Sequence, residues 1–262
     1  MRIALTIARN TFREAIRDRI LYGILFFAVA LILFSLVLGQ ISFDEEIRVT
    51  IDVGLSGISF FSVLMSIFLG ITLLHKEIEK RTIYTVLSKP VPRPMYVIGK
   101  FLGLSATLLV LNLMMLAVFL LVLRIQGGTA GGGLAMALLL VYVETLLIIG
   151  LAMFFGSFSS PFLSGLFCLG LFVAGRNADL IGELARRESL SFLAPVLEVA
   201  GAILPSLYLF YPSGKMVEGS WVTVHGRFVE SGYLVHATGY GLAYTAVLLA
   251  LSILLLSRRD FV

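Results

Sequence analysis

The sequence predicts an all-α polytopic membrane protein with six transmembrane helices, and three observations lead to that prediction. Of its 262 residues, 59% are hydrophobic and 14% are charged, and the mean hydropathy is +1.01. Soluble domains carry about 45–50% apolar and about 25% charged residues, so the excess apolar side chains must face lipid. Several stretches are also long enough to cross a bilayer, and basic residues cluster on alternate connections. These observations exclude a soluble enzyme, a secreted disulfide scaffold and a disordered tail.

The six predicted spans are continuous apolar stretches within one transmembrane domain, 1–262. A hydrocarbon core about 30 Å thick needs about 20 apolar residues in a helix, and five stretches meet that length. The sixth is shorter, has Pro161 near its start, and follows the fourth span after a very short turn at 157–161. The predicted spans are residues 20–38, 54–74, 101–123, 134–158, 158–175 and 233–256.

Charge placement predicts the side of the membrane that each segment faces. Thirteen of the 20 basic residues lie in 1–19, in 75–100 and at the C-terminus. Cytoplasmic loops carry the excess of lysine and arginine, so both termini and 75–100 are predicted to be cytoplasmic, and six spans agree with this. The first apolar run is too long for the core of a typical signal peptide. We therefore expect a multi-pass protein of the cell (inner or plasma) membrane.

Residues 1–19 predict an amphipathic helix in the membrane interface. A basic set and an apolar set of side chains each recur at spacings of four. The basic set is Arg9, Arg13 and Arg17, and the apolar set is Phe12, Ile16 and Ile20. Such a helix lies flat, with its apolar face in the acyl boundary and its basic face toward lipid headgroups. The alternative is a basic tail that only sets topology.

The segment 75–100 predicts a docking element. Residues 75–87 can continue the second span as a helix in which Glu77 and Arg81 pair at i,i+4. Three prolines at alternate positions of 90–94 then end that helix in an extended stretch. The alternative left open is an ordinary solvated loop whose charges only fix topology.

The region 176–232 is too long to be a plain connection, and it predicts re-entrant or interfacial helices before the last span. Residues 190–204 are apolar but too few for a span. A seventh span there would place the C-terminal arginines outside, so we reject it on charge.

The sequence carries no catalytic or metal-binding motif. The glycine-rich stretch 127–133 lacks the lysine of a phosphate-binding loop. The three histidines do not form a metal-ligand spacing. We therefore expect no catalytic residue, no bound metal or cofactor and no enzymatic activity in this chain, and nothing indicates a nucleic-acid partner.

Glu144 is the one acidic residue inside a predicted span. Intramembrane ionisable residues usually face a bundle interior or a cavity, so one hypothesis is a contact for a proton, a cation or the substrate. The interpretation we adopt is a protonated packing residue, hydrogen-bonded to Tyr142, Thr145 or Asn112. Asn112 itself is interpreted as a helix–helix contact.

Three stretches resemble the permease subunit of type-2 ABC exporters, in the branch similar to the permease of the copper-site maturation system of nitrous oxide reductase. They are 8–15 (ARNTFREA) with 17–19 (RDR), 76–82 (KEIEKRT) with 87–93 (LSKPVPR) and Gly99-Lys100, and 258–261 (RRDF). The middle stretch is the most specific of the three.

This resemblance implies the type-2 ABC exporter fold. Residues 1–19 would be its elbow helix, and the helix after the second span would be its coupling helix, which fits a separate ATPase subunit that binds ATP and Mg. The implied coupling positions are Glu77, Glu79, Arg81, Thr82 and Leu87, with Pro90 and Arg93 holding the return. The implied partners are that ATPase subunit, a second copy or a related permease, membrane lipid and an extracytoplasmic accessory protein.

The predicted function is thus a permease subunit of an ABC exporter. The apolar spans suit a lipid, a hydrophobic peptide or a lipid-linked molecule, and the resemblance adds a sulfur-containing or metal-handling cargo. A membrane anchor or scaffold that recruits a soluble partner without transport is the alternative function. An intramembrane enzyme would need paired catalytic groups, and the predicted spans hold a single carboxylate.

Overall fold

The computed structural model describes residues 2–41, 46–79, 92–128, 132–178, 204–211, 213–217, 220–223 and 231–258. These residues form mainly helices. The helices are α1 (Arg2–Ile16), α2 (Arg19–Ile41), α3 (Glu46–Glu79), α4 (Arg93–Ile125), α5 (Gly132–Gly156), α6 (Pro161–Arg176) and α7 (Ser231–Arg258). A 3-10 turn, Leu207–Phe210, and two short strands, β1 (Ser213–Val217) and β2 (Ser220–Thr223), lie between α6 and α7.

Five of the described helices are long and apolar enough to cross a membrane, namely α2, α3, α4, α5 and α7. The sixth predicted span corresponds to α6, which has only 16 residues. Ser160 caps its first turn by accepting a hydrogen bond from the amide of Leu163, and Pro161 follows at the first helical position. The chain is therefore a multi-pass membrane protein, and six full spans stay a prediction.

The long helices alternate in direction, so the bundle has two ends. We call proximal the end that holds α1, residue 79 of α3 and the start of α4, and distal the end where α2 gives way to α3. Gly39 and Thr50 lie close together at the distal end, whereas Arg93 and Ser257 meet at the proximal end.

Two apolar clusters fill the bundle. The first joins α1, α2, α3 and α4 with parts of α5 and α7, and the second joins α3, α5 and α6 with residues 207–210 and α7. Helices α3, α5 and α7 contribute to both clusters, but only α3 and α5 are mostly buried, so these two form the centre of the described bundle. In a bilayer such helices associate by van der Waals packing and interhelical hydrogen bonds.

Helix α1 lies against the proximal part of α4 through a contact between small residues. Gly99 and Gly103 stand one turn apart on α4. A Cβ atom at Gly103 would lie 2.6 Å from the carbonyl oxygen of Ala8 and from the Cβ of Thr11, and one at Gly99 would lie 2.8 Å from the carbonyl oxygen of Ala4. The two backbones approach so closely only because these glycines have no side chain.

This contact defines the side of α1 that packs on the protein, which the sequence did not predict. The buried face of α1 consists of small residues, Ala4, Thr11 and Ala15, whereas the face with Phe12 is only half-buried. Small side chains occupy this face of α1 because larger ones would clash with α4 at Gly99 and Gly103. Arg9 is exposed, as the prediction of a basic outer face requires.

The predicted helix is also interrupted. It ends at Ile16, so Arg17 lies in a turn, and Asp18 accepts a hydrogen bond from the amide of Ile20 at 3.1 Å. That side-chain cap satisfies an amide in the first turn of α2. Ile20 therefore belongs to α2, where its side chain is exposed.

Helix α3 is longer than the predicted span 54–74. It begins at Glu46 and continues without a break to Glu79. At 1.5 Å per residue, its 34 residues extend about 50 Å, well beyond a hydrocarbon core of about 30 Å. One helix therefore connects the distal end of the bundle to the predicted coupling segment.

The region 176–232 was predicted to contain re-entrant or interfacial helices, and its described residues include a two-stranded hairpin. Strands β1 and β2 form an antiparallel hairpin in which Met216 pairs with Trp221, an addition to the predicted all-α class, which still describes the membrane helices. The predicted re-entrant helix at 190–204 falls almost entirely on 179–203, outside the described residues.

Residues 204–211 form a buried segment, which we call the distal segment. The amide of Ser206 donates to the hydroxyl of Tyr240 at 3.0 Å, and the hydroxyl of Tyr233 donates to the carbonyl of Leu209 at 2.7 Å. A Cβ at Gly175 would lie 2.5 Å from the carbonyl oxygen of Pro205. The distal segment is thus fastened to α7 and to the end of α6.

Replacing Gly103 by Ala should push α1 away from α4, because the new methyl group would overlap the α1 backbone. Overpacking of this kind costs about 1–3 kcal/mol, which a thermal unfolding measurement in detergent would detect as a lower Tm. Gly23→Ala on α2 is the matched control, since nothing lies within 4 Å of the added methyl. Equal Tm values for the two variants would contradict the close contact.

Candidate functional site

A buried ion pair joins α5 to α6 in the interior of the bundle. The Nε of Arg176 donates to Glu144 Oε1 at 3.1 Å, and its Nη2 donates to Oε2 at 2.9 Å. The carboxylate is fully buried, and the Arg176 side chain is 17% exposed. Two parallel bonds of this kind match the fork of a guanidinium to an ionised carboxylate. The pair is neutral as a whole, which offsets the cost of burying either charge alone.

Helix lengths bring the two charges to the same depth. Glu144 lies halfway along α5, and α6 starts shortly after α5 ends. The 16 residues of α6 rise about 24 Å, and the 12 residues from Glu144 to Gly156 rise about 18 Å, so α6 returns the chain to within about one turn of the level of Glu144. Because α6 is too short to cross the bilayer beside α5, its terminal Arg176 stays inside the bundle.

Aromatic rings and a hydroxyl surround the guanidinium. The Cζ of Arg176 lies 5.0 Å from the ring centroid of Phe172 and 4.3 Å from that of Tyr211. The guanidinium also donates to the hydroxyl of Ser59, which in turn donates to Glu144 at 3.2 Å. Arg176 therefore contacts α3, α5 and the distal segment at one point.

The polar side of α3 is a row of serines at helical spacing, which we call the serine row: Ser56, Ser59, Ser62 and Ser66. Each has a partner in the interior. The hydroxyls of Ser56 and Tyr211 share a hydrogen bond of 2.8 Å, Ser62 donates to Asn112, and Ser66 donates to the carbonyl of Ser62. The row thus meets the distal segment, the ion pair and α4 in turn.

The structure corrects the hydrogen-bond partners predicted for Glu144. Its partners are Arg176 and Ser59, whereas the hydroxyl of Tyr142 donates to the carbonyl of Ser105 and that of Thr145 to the carbonyl of Tyr142. Sequence reasoning placed Arg176 in an outer connection and so overlooked the cation. The interpretation of Asn112 as a helix–helix contact agrees with its bond to Ser62.

Two sequence signals would have indicated this network. The serines recur at intervals of three and four within the second predicted span, the spacing of one helical face. A basic residue also follows directly after the shortest apolar stretch, at 176. Neither signal identifies the partner of a serine or of Arg176, because these partners lie on the distal segment, α4 and α5.

At the proximal end, Arg93 connects α4 to the last turn of α7. Its Nη1 donates to the carbonyl oxygen of Leu256 at 2.8 Å and to that of Ser257. The last carbonyls of a helix have no partner within the helix, and a cation at a helix C-terminus is favourable. Arg93 therefore caps α7 from the residue at which α4 begins.

The other predicted coupling positions are described only in part. Glu77 and Glu79 lie in the last turns of α3, and their side chains are outside the described part of the chain. Arg81, Thr82, Leu87 and Pro90 fall on 80–91, which is also outside it. On α1, Arg9 and Arg13 are exposed and Phe12 is half-buried.

The fold and these sites define a multi-pass helical membrane protein with a polar interior. A comparison of the chain with models of known protein families indicates its function. The family model for ABC-2 family transporter proteins matches residues 5–175, which cover α1 almost to the end of α6 and more than half of the chain, so the chain belongs to that family. No curated protein matches it. As an ABC-2 protein it is a permease subunit of an ABC transporter, the membrane component that works with an ABC ATPase subunit.

Breaking the ion pair from one side should destabilise the protein strongly. Glu144→Gln or Arg176→Met leaves a buried charge or donor unpaired, at a cost of about 3–5 kcal/mol. The double variant removes the unpaired charge and should recover much of that loss, which a double-mutant cycle of Tm values in detergent would measure.

The matched controls for this cycle are Glu46→Gln and Arg124→Met, since both side chains are exposed. They should shift the Tm little. An additive cycle, in which the double variant loses the sum of the single losses, would contradict the pairing.

Removing the cap at Arg93 should loosen the end of α7. Arg93→Ala deletes a charged donor to two carbonyls, and such bonds contribute about 1.5–3 kcal/mol, whereas Arg93→Lys keeps the charge and should retain part of the effect. Hydrogen exchange of the amides in the last turns of α7 measures the loosening. Unchanged exchange in the alanine variant would rule out the cap.

Proposed function

We propose that this chain is the permease subunit of a type-2 ABC exporter, that two permease subunits pair to form the translocation pathway, and that 75–100 couples them to a separate ATPase. The observation that carries the proposal is the course of α3. This helix runs unbroken from the distal end to Glu79 and leads directly into the stretch with the most specific resemblance to coupling helices.

A continuous helix suits the mechanical task. ATP binding closes two ATPase subunits, and this rigid movement must reach the membrane part through a stiff connection. A movement applied near residue 79 acts along the whole of α3. The ATPase can shift the permease between two states only if it binds them with different free energies, and we place that difference at Glu77, Glu79, Arg81, Thr82 and Leu87.

Arg93 has a defined place in this scheme. It follows Pro92, whose backbone is extended, starts α4, and caps α7. The segment 75–100 connects the end of α3 to the start of α4, and Arg93 bonds α4 to α7. A movement of this segment would therefore displace α3 on one side and α4 together with α7 on the other. Three membrane helices would then respond together.

The distribution of basic residues supports an orientation with the proximal end in the cytoplasm. The proximal end carries α1, the last turns of α3, the start of α4 and the end of α7. The sequence clusters its basic residues in and next to these parts, so we assign the proximal end to the cytoplasm. In this orientation α1 serves as the elbow helix. Its exposed Arg9 and Arg13 face lipid headgroups while its small residues hold α4.

The pairing and the substrate rest on the resemblance and on composition. We propose a homodimer, in the branch similar to the permease of nitrous-oxide-reductase copper-site maturation. The apolar bundle favours a lipid, a hydrophobic peptide or a sulfur- or metal-maturation cargo over a free sugar. An extracytoplasmic accessory protein would meet the distal end.

Co-purification in nanodiscs with the ABC ATPases of the source genome tests this proposal. We expect a stable complex of two permease and two ATPase subunits with ATP turnover. Glu77→Ala combined with Arg81→Ala should leave insertion intact but lower both capture and turnover. The matched control is Glu46→Ala with Arg124→Ala, which removes the same charges at the distal end and should change neither quantity.

Three results would count against it. A permease that captures no ATPase would favour a membrane scaffold that recruits a soluble partner without transport. Loss of insertion in the Glu77→Ala, Arg81→Ala variant would give 75–100 a purely topological role. A monomeric permease within an active complex would exclude the homodimer.

A further inference from the structure

A groove opens between α2, α3 and the distal segment. Its volume is about 450 Å³, and its lining includes Leu31 of α2, Ser56 and Phe60 of α3, and Tyr211 of the distal segment. The ion pair is not part of the described lining. One face of the Tyr211 ring lies 4.3 Å from the Arg176 guanidinium. Tyr211 therefore forms the wall between the groove and the buried charges.

Two contacts from different elements hold Tyr211 in that position. Its hydroxyl shares a 2.8 Å hydrogen bond with Ser56, and its ring stacks on the guanidinium of Arg176, an arrangement that is worth more when the cation is shielded from water. Glu144 fixes the guanidinium through two bonds. The side chain of Tyr211 depends on the ion pair for its position.

We propose that Arg176 is a positioning residue that holds Tyr211 against Ser56 and thereby closes the inner wall of this groove, and that movement of α3 releases it. The second half of the proposal rests on the proposed function, because the coupling segment would move α3. Ser56 and Ser59 stand one turn apart on α3 and contact Tyr211 and the ion pair respectively. A shift or rotation of α3 disturbs both contacts at once.

The ring contact explains why an arginine serves here. Both arginine and lysine can pair with Glu144, but only the planar guanidinium also stacks on an aromatic face. Arg176→Lys therefore keeps the buried charges paired while it removes the support of Tyr211. This variant separates the positioning role from the stability of the ion pair.

Cysteine labelling measures the position of Tyr211. The chain has one cysteine, Cys168, so a Cys168→Ala background allows a single new thiol at Ser56→Cys. The thiol is a weaker hydrogen-bond partner for Tyr211 than the Ser56 hydroxyl, so Tyr211 is held mainly by Arg176 in this background. Position 56 lines the groove and is half-buried, and we expect its reaction with a water-soluble maleimide to be slowed while Tyr211 lies against it. Arg176→Lys, and separately Tyr211→Ala, should raise the rate several-fold without nucleotide. Asp52→Cys is the matched control, since this exposed position lines the same groove and should react at one rate in every variant.

The link to the ATPase is tested separately in the captured complex. ATP with vanadate should raise the rate at Ser56→Cys several-fold, and Arg176→Lys should abolish that response. If Arg176→Lys leaves the rate without nucleotide unchanged while Tyr211→Ala raises it, Arg176 does not position Tyr211 and the proposal fails. If Arg176→Lys raises the rate but nucleotide has no effect in a working complex, the release by α3 is wrong. The labelling without nucleotide uses the permease alone. A negative result there overturns the role of Arg176 and says nothing about the proposed function.

Discussion

The interior of this permease depends on the ion pair between Glu144 and Arg176. A single charge of either sign inside a bilayer is costly, so each residue requires the other, and the end of α6 at Arg176 brings them together. The guanidinium then organises its surroundings, because its remaining donors and its flat faces contact Ser59 and Tyr211. Helices α3, α5 and α6 and the distal segment therefore meet at one buried point.

The two ends of the bundle are held by different kinds of contact. At the proximal end, small residues bring α1 and α4 together, and Arg93 supplies donors to the open carbonyls of α7. These contacts tolerate little displacement. Toward the distal end, Tyr211 contacts Ser56 through a hydrogen bond and Arg176 through its ring, and further hydrogen bonds fasten the distal segment to α7.

Much of the architecture was predictable because membranes constrain sequences strongly. Apolar runs near 20 residues correspond to α2, α4, α5 and α7, since backbone groups in lipid must be satisfied within a helix. The extent of α3 was harder to predict, because polar residues such as Arg48 and Asp52 lie in its first turns. The end of α1 at Ile16 was missed because the periodicity of its side chains continues past the cap at Asp18.

The sequence by itself determined that this chain crosses the membrane several times, that it carries no nucleotide-binding motif, and where its basic residues cluster. These properties follow from composition and local order, which do not depend on which helices become neighbours. Only the tertiary structure decided the partner of Glu144, the role of the serine row and the cap on α7. Apart from the bond between Ser66 and Ser62, these contacts join residues at least 32 positions apart, and a side chain's partner is set by the packing of helices in three dimensions.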